Sequence, residues 1–229
     1  MDLKKLFLTF VALLLLCVSA VAGPQTTSSS TGAQIIDRAR VYLDETSEYR
    51  WTDTDLLRFL NDGLVDLVAR AKCYQTTETI NLVANQVEYA PTTEYIEIVA
   101  AVCNPASGTS WGLREGNVRS LGGNVTKEVP VFWYEFAGKV GIYPAYSTVT
   151  TETVTLYLIQ YPSPILEGGA IPTPAIFDKA LVYYIASQGF MLDRRIAEAN
   201  NYMTLYLSEI DRFRKDFVNA DNATTEPVR

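Results

Sequence analysis

The chain has 229 residues, 48% of them apolar and 20% charged, with a formal net charge of −7 and a pI of about 4.7. That composition excludes wholesale disorder and allows a sizeable core, while the acidity argues against gripping phosphate backbones, which takes clustered Lys and Arg. Fourteen tyrosines accompany no histidine, which removes the commonest general base, the Ser–His and Cys–His nucleophile systems, and most zinc and iron sites.

Residues 1–22 have the pattern of a secretory signal peptide: Lys4 and Lys5, an almost continuous apolar run over 6–18, and Ala20-Val21-Ala22 before Gly23. The alternative readings are a hydrophobic N-terminal anchor or helix that is kept, or a mis-called start codon. Residues 23–32, GPQTTSSSTG, are polar and of low complexity, hence a linker.

The spacing of apolar residues predicts helices over 33–46 and 52–72. The first carries Ile35, Ile36, Ala39, Tyr42 and Leu43, and Asp44 and Glu45 close it as surface charges. The second has its start signal intact: Thr52 as N-cap, Asp55 at the third helical position, and Trp51 and Leu56 at the spacing of a hydrophobic staple. Behind it, Leu56, Leu57, Leu60, Leu64, Leu67 and Val68 make one apolar stripe, with Asp53, Arg58, Asp62, Asp66 and Arg70 mostly opposite. This helix is expected to be the keystone of the subunit, packed on helices at 177–216.

From about Glu78 the period shortens to two. Residues 79–83 and 87–89 read as short strands around the turn Ala84-Asn85-Gln86, and 95–102 as a longer one. Residues 104–128 are rich in Gly, Ser and Asn and read as a long exposed loop or a partly helical excursion. Ala137-Gly138 joins strands over 131–136 and 139–144 in a tight hairpin. Residues 148–161 are β-branched and aromatic, a strand stopped by Pro162. After the breaker segment 162–174, helices follow over 177–192 and 193–218, the last with Ile196, Tyr202, Met203, Tyr206, Ile210 and Phe213 as its apolar positions. The expected fold class is α+β: a helical bundle from 33–76 and 171–218, a β-rich insertion at 77–165 forming an antiparallel sheet or small barrel, and a polar tail at 219–229.

No catalytic pattern emerges, and no catalytic, cofactor-binding or metal residue is assigned. Asp53, Asp55, Asp62 and Asp66 resemble paired carboxylates, but 55, 62 and 66 have the spacing of the solvated face of an amphipathic helix. Beyond the leader the cysteines are Cys73 and Cys103; spacing alone does not pair them, and two small buried hydrophobes is the simpler reading. Trp133, Tyr134, Phe136, Tyr143, Tyr146, Tyr157 and Tyr161 make an aromatic-rich sheet suited to a core or a subunit interface. Arg194, Arg195, Arg212, Arg214 and Lys215 form the one basic concentration, which could meet an acidic partner or pair with Glu198, Glu209 and Asp216.

Three stretches carry a family resemblance: WTDTDLLRFLNDG at 51–63, PVFWYEFAGKVGIYP at 130–144 and LYLIQYPSPI at 156–165, the last followed by Ile171-Pro172 and a helix from Asp178. In this order, across roughly 33–215, the chain resembles head-to-tail adaptor proteins of tailed bacteriophages. The resemblance implies a non-enzymatic subunit of a homo-oligomeric, dodecameric ring in the virion. Its partners would be the portal protein and a tail or nozzle protein, with DNA passing through the ring without specific binding and no cofactor. The leader, in contrast, suggests a secreted or periplasmic bacterial protein with a β-rich module for carbohydrate or a surface partner, and membrane contact only if it is retained.

Overall fold

The computed structural model describes residues 27–45, 50–117, 129–146 and 151–213. Four α-helices are present among them: α1 (Gly32–Tyr42), α2 (Asp53–Ala71), α3 (Asp178–Leu192), preceded by a short 3-10 turn at Ala175–Phe177, and α4 (Ile196–Phe213). The capping signals operate as hydrogen bonds. Thr31 and Gln34 form a reciprocal capping box at the start of α1. At the start of α2 the Thr52 hydroxyl accepts from the Asp55 N–H at 3.1 Å and donates to its carboxylate at 2.8 Å. Trp51 packs against the helical core and meets Phe59 edge-on, with ring centroids 6.5 Å apart.

The centre of the helical layer is α3. Ten of its fifteen residues are buried, which places it inside rather than on one side of the layer, and α1, α2 and α4 all pack on it. The expectation that the 52–72 helix is the keystone is corrected in this respect: α2 buries one stripe and leaves Arg58, Asp62 and Arg70 outside. Two glycines permit the approach. A Cβ on Gly63 of α2 would lie 2.8 Å from the Tyr184 ring, and one on Gly189 of α3 would lie 2.7 Å from a Leu43 methyl. The start of α3 meets the end of α4, with Phe177 and Phe213 ring centroids 4.5 Å apart, and its end meets the beginning, where Phe190 stacks on Tyr202 at 5.4 Å. The two helices are therefore antiparallel. Of the apolar positions expected on α4, Tyr206, Ile210 and Phe213 are buried and Tyr202 and Met203 partly so, but Ile196 is exposed and Ala199 takes the inner position.

Seven strands form one curled sheet: β1 (Gln75–Asn81), β2 (Glu88–Tyr89), β3 (Tyr95–Asn104), β4 (Trp111–Glu115), β5 (Phe132–Phe136), β6 (Lys139–Tyr143) and β7 (Thr153–Gln160). Their order is β1-β7-β3-β4-β5-β6-β2. The curl follows from connectivity. In a flat sheet the outer strands β1 and β2 would lie six spacings of about 4.8 Å apart, roughly 29 Å. The chain covers Asn81 to Glu88 in seven Cα steps, at most about 25 Å even when extended, and this segment also contains a turn at Asn85. The two edges must curve toward each other as a half-barrel. Register shifts in the β3–β7 ladder at 95–97 and 98–100 supply bends of the kind curvature requires.

The α+β class holds, with three differences in its middle. Residues 79–83 and 87–89 do not pair across their turn; β1 pairs with β7 and β2 with β6. Within the expected loop at 104–128, Trp111–Glu115 is a strand, because its backbone finds β3 on one side and β5 on the other; residues 118–128 lie outside the described ones. The β4–β5 pairing is parallel, so the sheet is mixed rather than antiparallel. The predicted hairpin is present: Ala137 and Gly138 both have positive φ, 50° and 72°, between β5 and β6. Residues 46–49 and 147–150 lie outside the described ones, as do the leader, residues 214–218 of the last predicted helix and the tail at 219–229.

Two hydrophobic cores result. One lies among the helices and the other on the inner surface of the sheet. Cys73 belongs to the first and Cys103 to the second, and both thiols are free. Burial pushes Cys73 up to about 12 and Cys103 up to about 11, so both behave as the small hydrophobes the sequence suggested.

Candidate assembly interface

The acidic side chains that might suggest chemistry are absorbed by structure. Asp55 caps α2, and Asp53 accepts from Arg40 at 2.5 Å. Asp66 accepts from Arg70 Nε and from the Tyr206 hydroxyl, each at 2.7 Å, so it braces α4 rather than lying free on a solvated face. Burial and the adjacent Asp66 raise the Tyr206 hydroxyl far above its ordinary value. Asp62 alone of this set is exposed. Among the described residues no three His, Cys, Asp or Glu side chains are grouped to hold a metal.

Glu45 is a correction. Instead of closing α1 at the surface it is buried, where its carboxylate accepts from Arg40 at 3.2 Å and from the backbone N–H groups of Arg50 and Trp51. Arg40, also buried, reaches on to the Trp51 carbonyl at 3.0 Å. This pair clamps the end of α1 to the start of α2. Charged termini of a predicted helix read as solvated, and only the return of the chain at 50–53 buries them.

Residues 27–31, part of the segment that composition reads as a linker, run against 170–174. Bridges join Thr27 to Pro174 and Thr31 to Ala170, and Ser28 and Ser30 turn their hydroxyls to Asp178 at 3.0 and 2.6 Å. The sequence does not signal this contact, because residues 28–30 are all serine and only the burial alternates, with Ser28 and Ser30 inside and Ser29 outside.

The surface then offers three apolar features. Between α1 and α3 runs a groove lined by Arg38, Val41, Tyr42, Ala175, Asp178, Lys179 and Val182. The turn at 165–169 presents Leu166. On the outer face of the sheet, Val99 and Tyr157 stand beside Thr77. The aromatic set divides accordingly: Trp133 and Tyr134 are buried, whereas Phe136, Tyr157 and Tyr161 are exposed. The basic concentration is largely paired within the chain. Arg195 binds Glu198 at 2.9 Å and stacks on Phe190, and Arg212 binds Glu209 at 3.0 Å, while 214 and 215 lie outside the described residues.

The interior is thus braced by committed carboxylates, and exposed apolar side chains stand at separate places on the surface. In comparison with known proteins, residues 30–229 match the family model of the SU10 adaptor protein. A comparison with curated proteins finds no match.

Proposed function

The chain belongs to the SU10 adaptor protein family of phage head-to-tail adaptors, and from that membership we propose that it is a ring subunit joining the portal to the tail. It is a bacteriophage structural protein of the head–tail connector class. The family match over 30–229 carries the reading. In the proposed assembly, copies associate head to tail into a dodecamer at the head–tail interface, between the portal and a tail or nozzle protein, and the ring lines the DNA exit channel. A formal charge of −7 per chain supports that channel role, because an acidic wall repels phosphate and lets the duplex slide. Closure needs one heterologous contact repeated around the axis.

In this reading 33–76 and 171–218 act as the helical unit and 77–165 as a β-rich insertion; the two hydrophobic cores support the division. The subunit has no catalytic centre and uses no cofactor or metal, a reading supported by the structural engagement of Asp53, Asp55 and Asp66. Native mass spectrometry and electron microscopy of the full chain with its cognate portal protein test the proposal. A twelvefold ring seated on the portal is expected. A chain that stays monomeric and leaves the portal bare overturns it.

A further inference from the structure

Leu166 and Val41 are the two most exposed large apolar side chains among the described residues, at 78% and 74%. A single exposed leucine needs no explanation, but this one sits on a braced tip. The Gly169 N–H donates to the Leu166 carbonyl at 2.8 Å, the Ala33 N–H donates to the Glu167 carbonyl at 2.7 Å, and Asn61 holds Ile165 through both its backbone N–H and its carbonyl. A side chain presented on a rigid turn loses little conformational freedom when it is covered. Val41, in turn, lines the concave groove between α1 and α3 together with Tyr42, Ala175 and Val182.

Charge matches as well. Beside the groove three cations share two carboxylates: Arg38 pairs with Asp178 at 3.7 Å, while Lys179 and Arg212 divide Glu209 at 3.6 and 3.0 Å. Two of these cations, Arg38 and Lys179, line the groove itself. Glu167, next to Leu166, is exposed and has no ion pair among the described residues.

Tip and groove cannot meet within one molecule. The tip is bonded to the first turn of α1 at Gly32 and Ala33, and Val41 lies nine positions further on, about 14 Å along the axis. A knob and a socket at separate places on one surface allow a head-to-tail, heterologous contact, which closes into a ring where the rotation between copies permits. Resting on the ring reading above, we infer that Leu166 and Glu167 of one copy seat in the Arg38–Val41–Lys179 groove of the next copy.

The test uses the full chain and native mass spectrometry, with thermal melts as a folding control. Leu166→Asp and Val41→Asp each change an exposed side chain, so both variants are expected to melt like wild type; Leu166→Ser and Val41→Ser replace them if either does not. Each is expected to raise the concentration needed for ring formation by at least about tenfold. Mixed in equal amounts, the two Asp variants retain one intact tip and one intact groove, so they are expected to give dimers of one copy each and no ring. Glu167→Gln is expected to form rings whose stability responds less to salt. Rings that persist in either Asp variant, or a mixture that yields no dimer, overturn the inference and leave the ring reading standing. A wild-type chain that never forms a ring overturns both.

Discussion

Leu158 and Ile159 are consecutive on β7 and each is 1% exposed, yet they belong to different hydrophobic cores. Leu158 points into the sheet's inner surface with Val154 and Leu156, and Ile159 emerges on the other face, where the helices cover that end of the strand. β7 thus joins the two cores through adjacent buried residues, paired with β1 on one side and with β3, whose Ile96 also packs against the helical core, on the other. Strict alternation would give Ile159 the same surroundings as Tyr157, two residues before it. Tyr157 is 44% exposed, because the helices do not extend that far.

Three consecutive substitutions therefore separate these environments. Leu158→Ala and Ile159→Ala should each lower stability by about 2–5 kcal/mol, whereas Tyr157→Ala should cost well under that. Denaturant melts of the three variants give the comparison. Equal losses at 157 and 159 would show that the helical layer does not end between them.

On α2 the division between inside and outside can be read the same way. Leu60 is fully buried and Asp62 exposed, so Leu60→Ala should cost about 2–5 kcal/mol and Asp62→Asn less than about 0.5 kcal/mol. A thermal melt in which the Leu60 variant matches wild type while the Asp62 variant collapses would reverse the assignment of this helix.

The clamp of Arg40 and Glu45 makes a third expectation. Arg40→Met leaves the Glu45 carboxylate buried without its guanidinium, and stranding one partner of a buried ion pair costs about 3–5 kcal/mol. The loss should appear in urea melts as a lower midpoint with an unchanged slope. A change within the range of a surface substitution would mean that the 50–53 segment does not seal this pair from water.

Glu78 supplies a pH dependence. Burial by itself would raise its carboxyl, but the backbone N–H groups of Thr92 and Thr93, at 2.7 and 2.9 Å, outweigh that and hold it below the ordinary range, with further help from the threonine hydroxyls. A depressed carboxyl adds stability that is fully present above its unfolded pKa of about 4.3 and fades as pH falls through the lower folded value. Glu78→Gln should accordingly melt below wild type at neutral pH, with the gap closing as pH drops under about 4. A gap that is the same at both ends of this range would sink the assignment.

What the sequence determined by itself lies within a few residues at a time. The Thr52 cap, the stripe from Leu56 to Val68 and the Ala137-Gly138 turn each rest on contacts or dihedrals internal to one segment, and each stands in the fold. The lack of histidine and the acidity likewise needed no coordinates. Tertiary structure alone decided what depends on distant partners. The sparse segment Trp111–Glu115 became a strand because β3 and β5 flank it, and Glu45 became an interior charge because residues 50 and 51 return to cover it. The α3 helix became central because three other helices chose it, through gaps left at Gly63 and Gly189. The physical reason is range: capping and turn preferences act over about four residues, whereas burial and strand pairing sum over the whole chain, and a local pattern does not record which neighbour will arrive.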